Sequence, residues 1–217
     1  MKKEKNKCPG SYAFFAMLDR MRWIRRWSLM KNREEENLAE HSLAVAFIAH
    51  ALVMIGRLPQ VATPQAVAVD PAEVALAAMF HDASEIITGD LPTPIKYHDP
   101  SLREAYARVE TAASKRLLDY LPDELRSTYH DLLWTEVEKP QLYRYVKAAD
   151  CLSAYLKCAQ EVADGNREFA RALQQTREKI DALQMPECEF FLANFAEAYT
   201  CSLDDLNPLP TDSERQI

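Results

Sequence analysis

Glycine is scarce in this chain, at four of 217 residues, and no segment alternates apolar and polar residues with a period of two. Together these absences argue against a strand-and-turn architecture. The five cysteines, Cys8, Cys151, Cys158, Cys188 and Cys201, include no CxxC pair, and their odd number fits no closed disulfide framework. They read as reduced thiols, which points to the cytoplasm. A basic excess is also missing. The net charge of −7 argues against a protein that coats polymeric nucleic acid through its phosphates. The N-terminus MKKEKNKCPG is basic, but no apolar signal segment follows it. No stretch reads as long and apolar enough to span a bilayer, so no membrane partner is expected. Internal repeats and low-complexity tracts are absent.

What remains is rich in Ala, Leu, Glu and Arg, and it reads as an all-α, single-domain protein of seven or eight helices. The expected domain covers residues 11–203, between a flexible N-terminus (1–10) and a C-terminal tail (204–217). Ser11 is the expected N-cap of a first helix through SYAFFAMLDRMR, and 27–36 reads as a polar connection. Asn37 should cap a helix to about Ile55, followed by a loop holding Pro59 and Pro64. Asp70-Pro71 marks a helix start, with an end expected near Gly89. The two prolines in Asp90-Leu91-Pro92-Thr93-Pro94-Ile95-Lys96 demand a rigid, non-helical loop. Asp99-Pro100 starts a helix to about Tyr120, and Pro122 opens a shorter one. The remaining helices are expected over about 140–164, with Gly165 as the stop, 166–183 and 186–201.

Chemistry is concentrated at four positions on three of these helices: His41, the adjacent pair His81-Asp82, and Asp150. His41 and the pair sit in apolar stretches, where an unpartnered imidazole or carboxylate is costly to bury. Two imidazoles and two carboxylates suit a borderline divalent transition metal. Glu85 lies four residues after His81 and three after Asp82, so on one continuous helix all three would face the same flank. Each residue also has a plainer reading. A lone histidine on an apolar face is more often a satisfied core residue, and Asp150 has Lys147 one turn before it as a surface partner. His50, His98 and His130 have no ligand partner at helical spacing and read as structural or solvent-facing.

The segments RRWSLMKNREEENLAEHSLAVAFIAHAL, MFHDASEIITGDLPTPIKY and VKAADCLSAYLKC resemble the HD-domain phosphohydrolases, and most closely the YfbR-like 5′-deoxynucleotidases. The resemblance covers nearly the whole chain. It implies a helical HD-domain fold with His41, His81, Asp82 and Asp150 around one divalent cation, cobalt or manganese before iron, zinc or magnesium. It also implies that Arg26 holds the substrate phosphate, a task suited to a permanently charged fork of donors. Trp27 would shape a pocket for deoxyribose, and Asp90, Thr93 and Lys96 would contact the nucleotide. Without the resemblance, Arg26 is one more charge in the run Arg20-Arg22-Arg25-Arg26, Trp27 a core or interface aromatic, Asp90 a turn residue and Lys96 a surface charge. The acidic run Arg33-Glu34-Glu35-Glu36-Asn37 beside an anion site and the insert from Gln60 to Val69 are the two departures from what the resemblance implies.

The reaction implied is metal-dependent hydrolysis of a 2′-deoxyribonucleoside 5′-monophosphate to the deoxynucleoside and orthophosphate. Glu85 would orient or deprotonate the attacking water, and Arg26 would stabilise charge on the phosphoryl oxygens. Asp90 would bind the sugar 3′-hydroxyl or, alternatively, protonate the leaving 5′-oxygen. Competing readings are an HD-family hydrolase of another nucleotide phosphate ester and a non-catalytic nucleotide- or metal-binding module. Apolar faces on the last two helices suit a homodimer interface, as the resemblance implies, and would suit a monomer core equally well.

Overall fold

The computed structural model describes residues 12–92, 95 and 99–207. Ser11, Thr93, Lys96 and His98 lie outside the described residues, as does the chain beyond Asn207. Seven helices of ten or more residues build the described fold: α1 Leu38–Gly56, α2 Pro71–Phe80, α3 Pro100–Leu118, α4 Asp123–Leu133, α5 Pro140–Ala163, α6 Ala170–Leu183 and α7 Pro186–Phe195. Short helical turns join them, and no strand occurs among the described residues. The helix starts follow local chemistry. The Asn37 side chain accepts from the Ala39 and Glu40 amides while Glu40 reaches back to the Asn37 amide, a complete capping box. Asp70 and Asp99 cap α2 and α3, each followed by proline at the first helical position.

Helix α1 is the centre of the molecule. Leu38, His41, Val45, Ile48, Ala49, Leu52, Val53 and Ile55 are all buried, and α2, α5 and α7 pack around it. By length and composition α1 also qualifies as a bilayer-spanning segment, contrary to the expectation that no stretch would. Burial on several sides explains its character, because a helix enclosed by others is apolar nearly all round. Ile180, Met185, Cys188 and Phe191 turn the apolar faces of α6 and α7 into this same core. The apolar side chains left exposed include Leu43, Phe47 and Met54, along one face of α1.

Three boundaries differ from expectation. The first helix runs only over Phe14–Leu18 and then tightens into a 3-10 turn at Asp19–Trp23. Helix α2 stops at Phe80 instead of continuing to Gly89. Bonds from the Ala83 amide to the Phe80 carbonyl (3.0 Å) and from the Glu85 amide to the Asp82 carbonyl (2.9 Å) replace the α-helical ladder, and a separate turn, Glu85–Thr88, follows. Asp82 and Ser84 belong to residue types that favour caps and turns over helix interiors. Gly89, at φ +76°, does terminate a helix, but the short one. The last expected helix likewise ends at Phe195 and passes into a 3-10 turn, Glu197–Thr200.

The insert from Gln60 to Val69 is structural. It folds back on the end of α1, where Arg57 donates to the Ala66 and Val69 carbonyls (3.0 and 2.7 Å) and buried Ala66 rests against Gly56. A Cβ on Gly56 would lie 2.4 Å from Ala66 Cβ and 2.6 Å from Thr63 Oγ1. On the other side of the molecule, Glu161 of α5 is buried and ties down the polar connection. It accepts from the Arg33 and Glu34 amides, from Asn166 Nδ2 (2.7 Å) and from Lys157 Nζ (2.6 Å). Burial alone would raise the Glu161 carboxyl, but these donors outweigh it and lower it to about 2.

Gly56→Ala should cost roughly 1–3 kcal/mol through overpacking, read as a lower Tm; an unchanged Tm would contradict the close approach. Because the folded carboxyl of Glu161 sits below its unfolded value, its stabilisation is present above the ordinary glutamate range and is lost as pH falls towards 2. Glu161→Gln should therefore be destabilised by roughly 2–3 kcal/mol at pH 7, with the gap to wild type closing in acid. Denaturant titrations at several pH values measure this, and a gap independent of pH would refute it.

Candidate active site

Helices α1, α2 and α5 bring together the four residues that the sequence marks as metal ligands. His41 lies one turn into α1 and is fully buried, His81 caps the C-terminus of α2 with Asp82 next to it, and Asp150 lies midway along α5. His41 Nε2 is 3.4 Å from Asp150 Oδ1 and 3.7 Å from Asp82 Oδ2, and His81 Nε2 is 3.0 Å from the same Asp82 oxygen. Ligand atoms of His41, His81 and Asp82 all lie within 4.8 Å of one another.

The far side of each ring fixes its orientation. His81 Nδ1 is 2.7 Å from the Ala78 carbonyl, which can only accept, so Nδ1 carries a proton and Nε2 faces the carboxylates. His41 Nδ1 faces Ser153 Oγ at 3.3 Å and Glu36 Oε1 at 3.7 Å. Both Nε2 atoms are buried without a hydrogen-bond partner. Ring nitrogens aimed at carboxylate oxygens from within an apolar shell fit a divalent cation, and the N2O2 donor set suits a borderline transition metal. Burial opposes ionisation of Asp82 and Asp150, yet the carboxyls are held well below their usual range, Asp82 by His81 and Asp150 by His41 and Lys147. Burial and Arg26 oppose charge on His41, but Asp150 and Glu36 outweigh them and raise the ring above its ordinary range. Asp150 satisfies both of its sequence readings, since Oδ1 faces His41 while Oδ2 accepts from Lys147 Nζ at 2.9 Å.

The 24–37 connection supplies the second wall. An isolated antiparallel bridge between Arg25 and Asn37, with the Arg26 amide bonded to the Glu36 carbonyl (2.9 Å), lays Arg26-Trp27 beside the acidic run. That run divides by direction. Glu35 pairs outward with Arg25 at 2.8 Å, the Glu34 amide goes to Glu161, and Glu36 turns inward. Arg26, nearly buried, places Nη1 3.4 Å from Asp82 Oδ2 and Nε 3.3 Å from Glu36 Oε2. Trp27 has φ +56°, unusual for a bulky residue, with its indole Nε1 2.9 Å from Glu36 Oε2 and its ring 5.5 Å from that of Phe169. Asp90 accepts from the Trp27 backbone amide; burial pushes its carboxyl up, against the pull of Arg26.

Glu85 is buried at the start of the short turn after Asp82. It therefore shares a tight turn with Asp82, not the flank of one helix. His50 is exposed, and His130 stacks on Trp134 with ring centroids 4.6 Å apart. Sequence reasoning missed Glu36 and Glu161. Glu36 precedes the cap of the helix carrying His41, and that position was the available signal.

The family model described as 5′-deoxynucleotidase YfbR-like matches residues 13–199. A 5′-deoxynucleotidase of Photobacterium profundum is 43% identical over 194 residues, covering 89% of this chain and 97% of its own. Among solved structures, an HD-domain phosphohydrolase from Listeria innocua superposes with a TM-score of 0.73 at 22% identity, covering 88% of this chain and 89% of its own. The cyanophage S-2L HD phosphohydrolase (DatZ), bound to dA and one catalytic Zn2+ ion, does so with a TM-score of 0.54 at 20% identity, covering 84% and 96%. On the match across 13–199, this chain belongs to the YfbR-like 5′-deoxynucleotidase family and has the HD-domain phosphohydrolase fold.

Proposed function

We propose that this protein hydrolyses 2′-deoxyribonucleoside 5′-monophosphates to the deoxynucleoside and orthophosphate, with one divalent cation held by His41, His81, Asp82 and Asp150. The observation that carries this reading is the pair of buried imidazole Nε2 atoms that face the Asp82 and Asp150 carboxylates without a hydrogen bond, with Arg26 alongside. The relatives' deoxynucleotidase activity and the dA and zinc of the cyanophage neighbour support it. A cation bound there supplies Lewis acidity towards a phosphate oxygen and lowers the pKa of a water. Cobalt or manganese is the preferred choice, then iron or zinc. Magnesium is disfavoured by the two imidazole donors.

The remaining work falls to the chain's own groups. Arg26 offers permanently charged donors to the phosphate oxygens on the side away from Glu36. Glu85, buried one turn after Asp82, takes a proton from the attacking water. Asp90, fixed by the Trp27 amide, accepts the sugar 3′-hydroxyl. The Trp27 ring fills the space that a 2′-hydroxyl would need, and Thr93 and Lys96 complete the nucleotide contacts. A homodimer, with the exposed face of Leu43, Phe47 and Met54 on α1 as one contact, and a cytoplasmic setting complete the proposal.

Phosphate release from matched deoxyribo- and ribonucleoside 5′-monophosphates should depend on added cobalt or manganese after metal stripping and be confined to the deoxy set. No release from either set would transfer the reading to another phosphate ester or to a binding module. Glu85→Ala should lower turnover by about 100-fold or more while nucleotide binding, followed by calorimetry, persists; full turnover in this variant would remove Glu85 from its role.

A further inference from the structure

One carboxylate joins three side chains of the site, the adjacent Arg26 and Trp27 and the distant His41. Glu36 Oε2 accepts from Trp27 Nε1 at 2.9 Å and lies 3.3 Å from Arg26 Nε, while Oε1 faces His41 Nδ1 at 3.7 Å. Its side chain is 15% exposed. The backbone around it is equally constrained, by the hydrogen bond from the Arg26 amide to the Glu36 carbonyl and by the Asn37 capping box that starts α1. Trp27 needs such support. A tryptophan at φ +56° carries strain, roughly 1–3 kcal/mol for a residue of this kind. Its contacts include the Glu36 carboxylate, the Asn32 amide on its carbonyl (3.2 Å), the Met30 amide on the same carbonyl (2.9 Å), Asp90 on its backbone amide and the Phe169 ring. Of these, Glu36 alone bonds the indole N–H and so fixes the rotation of the ring.

We propose that Glu36 is a positioning residue for sugar selection: by anchoring the Trp27 indole N–H with the same oxygen that orients Arg26, it fixes the distance between the sugar wall and the phosphate grip. This rests on the reading given under Proposed function and extends it to a residue outside the ligand set and the substrate contacts. A 2′-hydroxyl adds one oxygen to the sugar. It is rejected only if the ring cannot swing aside while the phosphate stays bound to Arg26. With the anchor gone, the ring can yield, and the ribonucleotide gains more than the deoxynucleotide loses. A residue with a merely structural role would lower activity on both sugars alike.

The test compares kcat/KM for a deoxyribonucleotide and the matching ribonucleotide in wild type, Glu36→Gln, Trp27→Phe and the double variant, each supplied with cobalt. Trp27→Phe keeps a ring but removes the N–H, so it breaks the same bond from the other side and serves if Glu36→Gln folds poorly. The indole N–H resonance of Trp27, followed by NMR without metal, gives a readout independent of activity. The inference expects the deoxy-to-ribo ratio to fall about tenfold in each single variant, the worth of one hydrogen bond to a charged group. The double variant should fall no further, and the Trp27 indole signal should shift in Glu36→Gln. A preserved ratio in either single variant, or falls that multiply in the double variant, would overturn the inference and leave the deoxynucleotidase reading standing. A wild type with no sugar preference would overturn both.

Discussion

Asp82 and Asp150 set the terms for everything around them. Both carboxylates reach the same nitrogen of His41, within 3.7 and 3.4 Å, in a pocket walled by apolar helices. Two like charges this close repel, and the partial burial of both carboxylates favours taking up a proton. The surrounding groups prevent that. His81 and His41 face the carboxylates, Lys147 takes the outer oxygen of Asp150, and Arg26 approaches Asp82. The pocket is thus built to keep two negative charges side by side, an arrangement that a divalent cation compensates and that an ordinary hydrophobic core would not contain.

The rest of the architecture holds these groups against their own repulsion. Helix α1, enclosed by α2, α5 and α7, fixes His41 from behind. Ending α2 at Phe80 puts His81 at the helix C-cap, still with helical dihedrals, and Asp82 in the tighter turn that follows, and both side chains face the same pocket. The same break puts Glu85 at the start of a new turn. On the opposite wall, Glu161 anchors the 31–36 loop through backbone amides. That loop delivers Glu36 to Trp27 and Arg26.

Much of this was legible in the sequence, because the signals were local. Asn37, Asp70-Pro71, Asp99-Pro100 and Gly165 each mark a boundary through their own side-chain or backbone chemistry, and the helices begin or end there. His41, His81, Asp82 and Asp150 stood out as polar residues in apolar surroundings, and the structure gathers all four. Long-range relations were not legible. Nothing near Glu161 reveals that it bonds amides 127 and 128 residues away. The acidic run 33–36 looks uniform, yet its members go to three different places because the Arg25–Asn37 bridge fixes which way each residue faces. The end of α2 was misplaced for a related reason: Gly89 is a genuine stop signal, but the turn at residues 81–84 interrupts the helix first. The caps of α1 are those of an ordinary helix, and its packing accounts for a composition that would also suit a bilayer.

The central claim is that the four side chains converge to bind one divalent cation. Anomalous diffraction from crystals grown with cobalt tests it most directly. The account predicts a single strong anomalous peak per chain, within bonding distance of His41 Nε2, His81 Nε2, Asp82 and Asp150, at about 2.0–2.2 Å from each ligand atom, and its loss in His41→Ala. A peak elsewhere on the chain, or none at this pocket with cobalt in excess, would contradict it.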